Sequence, residues 1–325
     1  SVFQEKLSPQ NDQATTSEHL PYVDPSQAVQ WRDRLYVAGK RNLGEYDAAT
    51  GHLLRIGKPG LFPCHEQDAP MYSVALVDDQ LFVACFNIGV FQIDLTQERL
   101  VRSYTHTEGL KELANLRIVA GPDKNVWVGT FNGLARINPR TGKVDFWEKE
   151  LVDNCEGLST TPHAFAQQLV IEYVAHDKCG GGLLIWQPDG SWKRFTTKDF
   201  TQYNASRIDF DRIFITKEGK ITVAYRDDRS SRGGEDFRLV IADYDPTTQK
   251  WKRINEVGAV EEEGINLLKS LDDREEIWSS STFLLGKTQD QEKSKVYVRE
   301  VDRGMWKRIE VKIYTSIIPW QHKLY

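Results

Sequence analysis

The stretch Val126-Trp127-Val128-Gly129-Thr130 decides the fold, because runs of the same kind open one unit after another along the chain. These runs are rich in β-branched and aromatic residues, which favour half-buried strands. Their starts are separated by 46, 45, 43, 52 and 56 residues, a spacing typical of one propeller blade per unit. The other five runs are Leu35–Gly39, Leu81–Cys85, Leu169–Tyr173, Ile221–Tyr225 and Ile277–Ser281.

Three further strands accompany most of these runs. A turn opened by Asp or Asn separates two of them, as at 47–51, 138–142 and 245–249, because such a side chain bonds its own downstream backbone. The predicted following strands are Leu43–Asp47, Gly89–Asp94, Gly133–Asn138, Gly182–Gln187, Arg238–Asp245 and Lys295–Asp302, then Trp192–Phe195, Trp251–Ile254 and Trp306–Ile309; the predicted preceding strands are Ser73–Val77, Leu116–Ala120, Ile208–Ile215 and Ile265–Leu271.

The sequence therefore predicts an all-β chain that forms a single β-propeller of four-stranded antiparallel blades. Six units are visible, and residues 318–325 resemble residues 29–36, so a seventh unit begins where the sequence stops. We expect seven blades, with six as the second choice. We assign residues 1–28 to an N-terminal tail and residues 29–325 to the propeller. Two ways of completing the seventh blade stay open: the tail supplies the ring-closing strand, or the natural protein continues past Tyr325.

Composition excludes two classes of function. The 325 residues include 42 Lys plus Arg and 47 Asp plus Glu, a net charge of −5, which excludes a globally basic nucleic-acid binder. No apolar run is long enough to predict a membrane span. We predict no cofactor, since no phosphate loop or catalytic signature is present.

One unit carries a family resemblance. Thr107-Glu-Gly-Leu110, Val126–Thr130, Gly133-Leu134 and Thr141-Gly-Lys143 together resemble the two-component regulator propeller repeat. The resemblance implies a propeller of the kind found in extracytoplasmic sensor regions of bacterial histidine kinases, or in stand-alone periplasmic or secreted proteins. In that family such repeats are taken to bind glycans or other ligands, and we predict a glycan, a peptide or a protein as the ligand here.

The candidate binding residues lie in long loops that propellers commonly gather on one face. Two segments assigned to such loops are 149–162 and 286–295. The loop 226–237 contains three Arg and four acids, and guanidinium groups would grip a carboxylate, a phosphate or a sulfated sugar. The alternative is a solvated hairpin whose charges pair with one another. The candidates are Arg226, Asp227, Arg229, Arg232, Glu235, Asp236, His176, Lys178, His65 and Glu66.

Four cysteines leave several chemistries open. Cys64 with His65, and His176 with Cys179, are zinc-ligating residue types, but their spacing fits no zinc-finger pattern, so we predict no metal. A disulfide between Cys155 and Cys179 is the alternative. Cys85 is interpreted as a small buried hydrophobic residue.

The function predicted from the sequence is a non-catalytic, extracytoplasmic binding propeller. The alternative is a propeller enzyme, a lyase or hydrolase, whose site would draw on His106, Glu108, His163 and His176. His106 also has a structural interpretation, as a loop histidine that bonds its neighbours. A structural subunit of a larger assembly is the third hypothesis.

Overall fold

The structure is a computed structural model, and it places the chain in two compact units. The first unit comprises Ser1–Cys179 with Leu184–Ser191, and the second comprises Gly180–Leu183 with Trp192–Tyr325. For residues 3–5 and for the residues from 276 onward, the structure describes the backbone but not the side chains. The residues that the structure describes are 3–5, 28–39, 43–57, 64, 71–114, 116–152, 157–165, 167–175, 180–187, 189–200, 209–215, 221–228, 237–253, 276–279, 283–289, 294–300, 305–310, 319–320 and 323–324.

The first three sheets are antiparallel and, apart from β1, their strands pair with the strands that precede and follow them in the chain. The first sheet has the order β1-β5-β4-β3-β2, so the N-terminal strand adds to its outer edge. Its strands are β1 (Phe3–Glu5), β2 (Ala28–Trp31), β3 (Arg34–Ala38), β4 (Leu43–Asp47) and β5 (Leu53–Gly57). The second sheet contains β6 (Met71–Val77), β7 (Gln80–Cys85), β8 (Gly89–Asp94) and β9 (Arg99–Tyr104), and the third contains β10 (Arg117–Ala120), β11 (Val126–Thr130), β12 (Gly133–Ile137) and β13 (Val144–Trp147).

The later sheets repeat the same four-stranded order, with a 3-10 helix (Lys149–Val152) and a short helix α1 (Thr197–Phe200) in connections. A final hairpin pairs β26 (Pro319–Trp320) with β27 (Lys323–Leu324). The sheets are β14 (Leu158–Phe165), β15 (Gln168–Ala175), β16 (Gly181–Trp186) and β17 (Trp192–Thr196); β18 (Asp209–Ile215), β19 (Ile221–Asp228), β20 (Phe237–Asp245) and β21 (Lys250–Arg253); and β22 (Glu276–Ser279), β23 (Phe283–Gln289), β24 (Ser294–Glu300) and β25 (Met305–Glu310).

The predicted all-β fold with four-stranded antiparallel sheets is confirmed. The Asp- and Asn-led turns are confirmed as well: Asp47 accepts hydrogen bonds from the backbone N–H groups of Ala49 and Thr50, and Asn138 accepts them from Arg140 and Thr141. Asp245 does the same in the fifth sheet.

One strand assignment and two loop predictions were wrong. Residues 149–162 were assigned to a loop, but β14 begins at Leu158. In the sixth sheet, Ile277 lies on the first strand rather than the second, and the predicted loop 286–295 is largely occupied by β23 and β24. The predicted strand at 265–271 lies outside the described residues. In the N-terminal tail, the described strand β1 pairs with β5 of the first sheet. The ring-closing role of residues 1–28 stays a prediction.

Both faces of the strand β7 are buried in the first unit. Leu81, Val83 and Cys85 belong to one hydrophobic core cluster, whereas Phe82 and Ala84 belong to another. Successive side chains of a strand point to opposite faces, so this sheet is covered on both sides. That double burial explains why the recurring runs are almost continuously apolar.

The first strands of neighbouring sheets lie side by side in this unit. β2 contacts β6, β6 contacts β10, and β10 contacts β14. The third and fourth sheets approach so closely that a Cβ at Gly129 would collide with the backbone carbonyl of Thr160. Glycine at this position of the repeated run therefore serves the packing of one sheet on the next.

Candidate binding face

Strand register defines two ends of each sheet in the first unit. In the second sheet, Met71 pairs with Cys85, Cys85 with Gly89, and Val90 with Tyr104. The β7–β8 connection, the β9–β10 connection and the start of β6 therefore share one end. We call this end the loop face, and its described part includes Cys64 and residues 86–88, 105–114, 116 and 131–132.

A disulfide anchors the loop face between the first and second sheets. Cys64, from the connection before β6, is bonded to Cys85 at the end of β7, and both residues are fully buried. The interpretation of Cys85 as an unbonded hydrophobic residue was therefore wrong, because residues 21 positions apart in sequence meet in the fold. The sulfur of Cys64 is also unavailable to zinc. His65, Cys155, His176 and Cys179 lie outside the described residues.

His106 and Glu108 lie in one tight turn on the loop face. The carboxylate of Glu108 accepts hydrogen bonds from the backbone N–H of Thr105 (2.9 Å) and from its hydroxyl (2.7 Å). These bonds lower the pKa of Glu108, the hydroxyl bond most strongly. Nδ1 of His106 lies 2.8 Å from the carbonyl oxygen of Leu110, whose N–H donates to the carbonyl of Thr105.

The same turn recurs after the fourth sheet. There the carboxylate of Asp199 accepts hydrogen bonds from the backbone N–H of Thr196 (2.7 Å) and from its hydroxyl (3.1 Å). A buried apolar residue follows each turn, Leu110 in one case and Phe200 in the other. Glu108 and Asp199 thus have one shared role, which is to close the connection that follows an outer strand.

The connection 105–116 is also held to its neighbours. The backbone N–H of Asn87 donates to the carbonyl of Leu113 (3.0 Å), which joins the β7–β8 turn to this connection. Nζ of Lys111 lies 2.7 Å from the carboxylate of Glu148 and 5.6 Å from the centre of the Phe146 ring. The surface ion pair contributes little stability, but it fixes where the lysine lies.

Among the residues whose side chains the structure describes, Phe131 is the most exposed large hydrophobic residue, with 47% of its surface accessible. Its turn is rigid. The buried hydroxyl of Thr130 donates to the carbonyl of Gly133 (2.9 Å) and accepts from the N–H of Asn132 (3.2 Å). Gly133 has φ +145°, and a Cβ there would collide with the carbonyl oxygen of Trp147. Phe131 was not predicted from the sequence, although the Phe-Asn pair recurs at residues 86–87 and was the available signal.

His163 lies away from that turn, on strand β14. Its Nε2 is 3.8 Å from the carboxylate of Glu172 on β15. The same nitrogen is buried and makes no hydrogen bond. His106 and Glu108 are thus brought together in a turn, whereas His163 belongs to the face of a sheet.

The charged loop 226–237 is only partly described. Arg226 and Asp227 were predicted to lie in it, but they belong to β19, where they pair with Leu239 and Arg238 of β20. β19 is longer than predicted, because its antiparallel pairing with β20 continues to Asp228, which lies opposite Phe237. Of the other predicted binding residues, Arg229, Arg232, Glu235, Asp236, His176, Lys178, His65 and Glu66 all lie outside the described residues.

The opposite end of the first unit is occupied by structural contacts. The indole of the buried Trp127 packs against Trp186 of the fourth sheet, with ring centres 5.4 Å apart, and its N–H donates to Asp123 (3.1 Å). The N–H of the Trp31 indole donates to Asp79 (2.7 Å), which links the first two sheets. Trp127 and Trp31 therefore hold neighbouring sheets together.

Within the described residues, no group of three or more His, Cys, Asp or Glu is arranged to hold a metal ion. No helix of the described part is both long and apolar enough to cross a membrane.

Comparison with known proteins supports the fold. No family model matches the sequence, and no curated protein matches it. The β-propeller domain of Cps50 (Swd1) from Myceliophteria thermophila is similar in structure, with a TM-score of 0.53 and 14% identity over 92% of this chain and 89% of that one. The chain has a β-propeller fold. The WD40 domain of Neurospora crassa Pan2 agrees, with a TM-score of 0.56 and 10% identity over 90% of this chain and 80% of that one.

A third similar structure is an extracellular domain. It is the extracellular domain of the putative one-component system BT4673 from B. thetaiotaomicron, with a TM-score of 0.53 and 17% identity. The match covers 95% of this propeller and 36% of that domain. The propeller thus spans about a third of the length of its relative.

Proposed function

We propose that this propeller is a non-catalytic binding module, an extracytoplasmic ligand-sensing or interaction domain that takes a glycan, a peptide or a protein at its loop face. The observation that carries the proposal is Phe131, an exposed aromatic side chain on a turn that Thr130 and Gly133 hold rigid. An exposed ring on a rigid turn offers contact area at little entropic cost. In another turn of the loop face, His106 and Glu108 are engaged in closing their own turn.

Two observations support an extracytoplasmic location. The buried disulfide between Cys64 and Cys85 is typical of proteins that fold in an oxidising compartment. The structural similarity to an extracellular domain agrees with this location.

Seven blades are also part of the proposal. In the last hairpin, Trp320 pairs with Lys323, just as Trp31 pairs with Arg34 in the hairpin that opens the first sheet. The same residue types at the same register support the start of a seventh blade.

A ligand screen tests the binding proposal. The wild-type chain is heated with panels of oligosaccharides and of peptides, because a ligand that binds the folded state raises the melting temperature. Phe131→Ala is expected to weaken the best ligand about tenfold, the effect of losing roughly 1.4 kcal/mol of aromatic contact. Val101→Ala is the matched control, since Val101 is an exposed apolar residue on the outer strand β9.

Equal losses in the two variants would contradict a site at Phe131. Conversion of the ligand during the incubation, followed by chromatography, would favour the enzyme alternative. Of the residues named for that alternative, His163 is the one to test, because its buried Nε2 makes no hydrogen bond and lies 3.8 Å from the carboxylate of Glu172. His163→Gln would then abolish conversion, whereas it is expected to leave binding at Phe131 unchanged.

A further inference from the structure

The turn that presents Phe131 is held from two sheets. Within the third sheet, the hydroxyl of Thr130 donates a hydrogen bond to the carbonyl of Gly133. From the fourth sheet, the hydroxyl of Thr160 on β14 donates to the same carbonyl oxygen, at 2.6 Å. The backbone N–H of Thr130 donates in return to the hydroxyl of Thr160, at 3.3 Å. These bonds link the end of β11 and the start of β12 to β14.

Burial makes these hydrogen bonds costly to break. Thr130 and Thr160 have 0% and 1% of their surfaces accessible, so water cannot replace a lost partner. The backbones of β11 and β14 are also close at this point, since a Cβ at Gly129 would collide with the carbonyl oxygen of Thr160. The position of the turn after β11 is therefore set by the fourth sheet as well as by its own.

The equivalent turn of the second sheet is held differently. There the N–H of Asn87 donates to the carbonyl of Leu113, and Phe86 is half-buried. In the third sheet the corresponding N–H, that of Asn132, donates to the threonine hydroxyl at the end of β11, and the ring of Phe131 is exposed. The exposed ring therefore occurs on the turn that the threonine hydroxyls hold.

We propose that Thr160 is a positioning residue for the binding site at Phe131, because it fixes the turn that carries the ring from the neighbouring sheet. The inference rests on the proposed binding role of Phe131, and it adds a residue of the fourth sheet to that site. Because Thr160 is buried, it acts through the turn and not by contact with the ligand. A side chain that is held in place before binding loses less conformational entropy on binding, so affinity depends on this hydroxyl.

Substitutions at Thr160 separate the hydroxyl from the shape of the side chain. Thr160→Val retains the shape but removes the acceptor of the Thr130 N–H, whereas Thr160→Ser retains the hydroxyl. Thr197→Val is the matched control. The buried hydroxyl of Thr197 likewise donates to a glycine carbonyl, that of Gly181 (3.1 Å), but it belongs to the other compact unit.

Amide hydrogen exchange, resolved at single residues by NMR, shows whether Thr160 fixes the turn. In Thr160→Val, the N–H groups of Thr130 and Asn132 are expected to exchange about tenfold faster than in the wild-type chain, an effect of the size that an unsatisfied buried N–H produces. Exchange at Val128, inside β11, is expected to stay unchanged, which a general loss of stability would not allow. Thr160→Ser and Thr197→Val should match the wild type at all three positions. Equal acceleration at all three positions in Thr160→Val, or none, would overturn the positioning role.

Binding is measured with the oligosaccharide or peptide that raises the melting temperature of the wild-type chain most in the ligand screen. Thr160→Val is expected to weaken this binding about fivefold, the cost of ordering a side chain that the wild type already holds in place. Thr160→Ser and Thr197→Val should bind as the wild type does. In a Phe131→Ala background, Thr160→Val should weaken binding no further, because Thr160 acts through the ring. Equal losses in the two backgrounds would overturn the proposal.

Failure of the positioning role differs from failure of the binding site itself. If Phe131→Ala weakens binding but Thr160→Val has wild-type affinity and wild-type exchange, the positioning role is overturned and the binding role of Phe131 stands. If Phe131→Ala binds no more weakly than Val101→Ala, the binding role is overturned and the proposal falls with it, even where exchange at Thr130 is faster in Thr160→Val.

Discussion

Breaking the disulfide between Cys64 and Cys85 should lower the free energy of unfolding of the first unit. The length of the loop that the bond closes and the burial of its two sulfurs determine the size of this loss. The bond closes a loop with a sequence separation of 21. Loop-closure entropy for that length is worth about 3.4 kcal/mol at 25 °C. Each buried sulfur replaced by hydrogen costs roughly 1 kcal/mol more, on the scale of a buried methylene group.

The variants Cys64→Ala, Cys85→Ala and the pair together form a double-mutant cycle. Each single variant breaks the same bond, so we expect it to lose about 4 kcal/mol of unfolding free energy, and the double variant about 5. The sum of the single losses then exceeds the loss in the double variant by about 3 kcal/mol, which is the contribution of the bond counted twice.

Urea denaturation of the four proteins, followed by far-UV circular dichroism, measures these losses. Alkylation of the urea-unfolded wild type without reductant should leave Cys64 and Cys85 unmodified, as read by mass spectrometry of the peptides. Losses of about 1 kcal/mol in each single variant that simply add in the double variant would refute the reasoning. They would restore the interpretation of Cys85 as an independent buried residue.

Two further perturbations test the turns. Gly133→Ala is expected to lower the free energy of unfolding by about 1–3 kcal/mol, because its Cβ would meet a backbone carbonyl; thermal denaturation checks this against Gly51→Ala, which meets nothing within 4 Å and should cost less. The pKa of Asp47 is lowered, chiefly by the hydrogen bond it accepts from the N–H of Thr50, so its contribution is present above the ordinary pKa and is lost as pH falls through the lowered value. Asp47→Asn should remove the part of the stability loss at low pH that comes from Asp47, because Asn138 makes the same contacts in its own turn without titrating. Thermal denaturation of both proteins between pH 7 and pH 2 measures this difference.

Local chemistry explains why most of the fold was predictable. The recurring runs are buried on both faces, so nearly every residue in them is apolar and the stride is easy to see. The turns depend on one side chain bonding its own backbone, as Asp47, Asn138 and Asp245 do. Interactions of this range are encoded within a few residues and need no knowledge of the rest of the chain.

β14 escaped prediction because its sequence is typical of a loop. It contains Pro162 in its middle, together with Ser159, Thr160 and Thr161. Proline removes a ladder donor and is confined to edge strands. β14 is such an edge, because the order β14-β15-β16-β17 places it first in its sheet, and the ring of Pro162 packs beside Gly129 of β11. The first strand of every sheet is an edge, so this is where local sequence rules are weakest.

Long-range contacts account for what the sequence could not supply at the site. The partner of Cys85 lies 21 residues away, and the sequence alone suggested a disulfide between Cys155 and Cys179 instead. The exposure of Phe131 depends on how neighbouring connections pack. Phe86 occupies the same place in the preceding sheet and is half-buried, whereas Phe131 is exposed.

Comparison between repeats separates architecture from candidate function in this chain. Glu108 resembled a catalytic acid in the sequence, but Asp199 closes the equivalent turn of another sheet with the same two hydrogen bonds to a threonine. A contact that recurs with a substituted carboxylate is part of the scaffold, because selection for one reaction would not place it twice. Phe131 is the contrary case, since the aromatic residue recurs while its burial does not. A ligand contact is therefore expected where a residue type recurs between sheets but its side chain is exposed in one of them, as at Phe131.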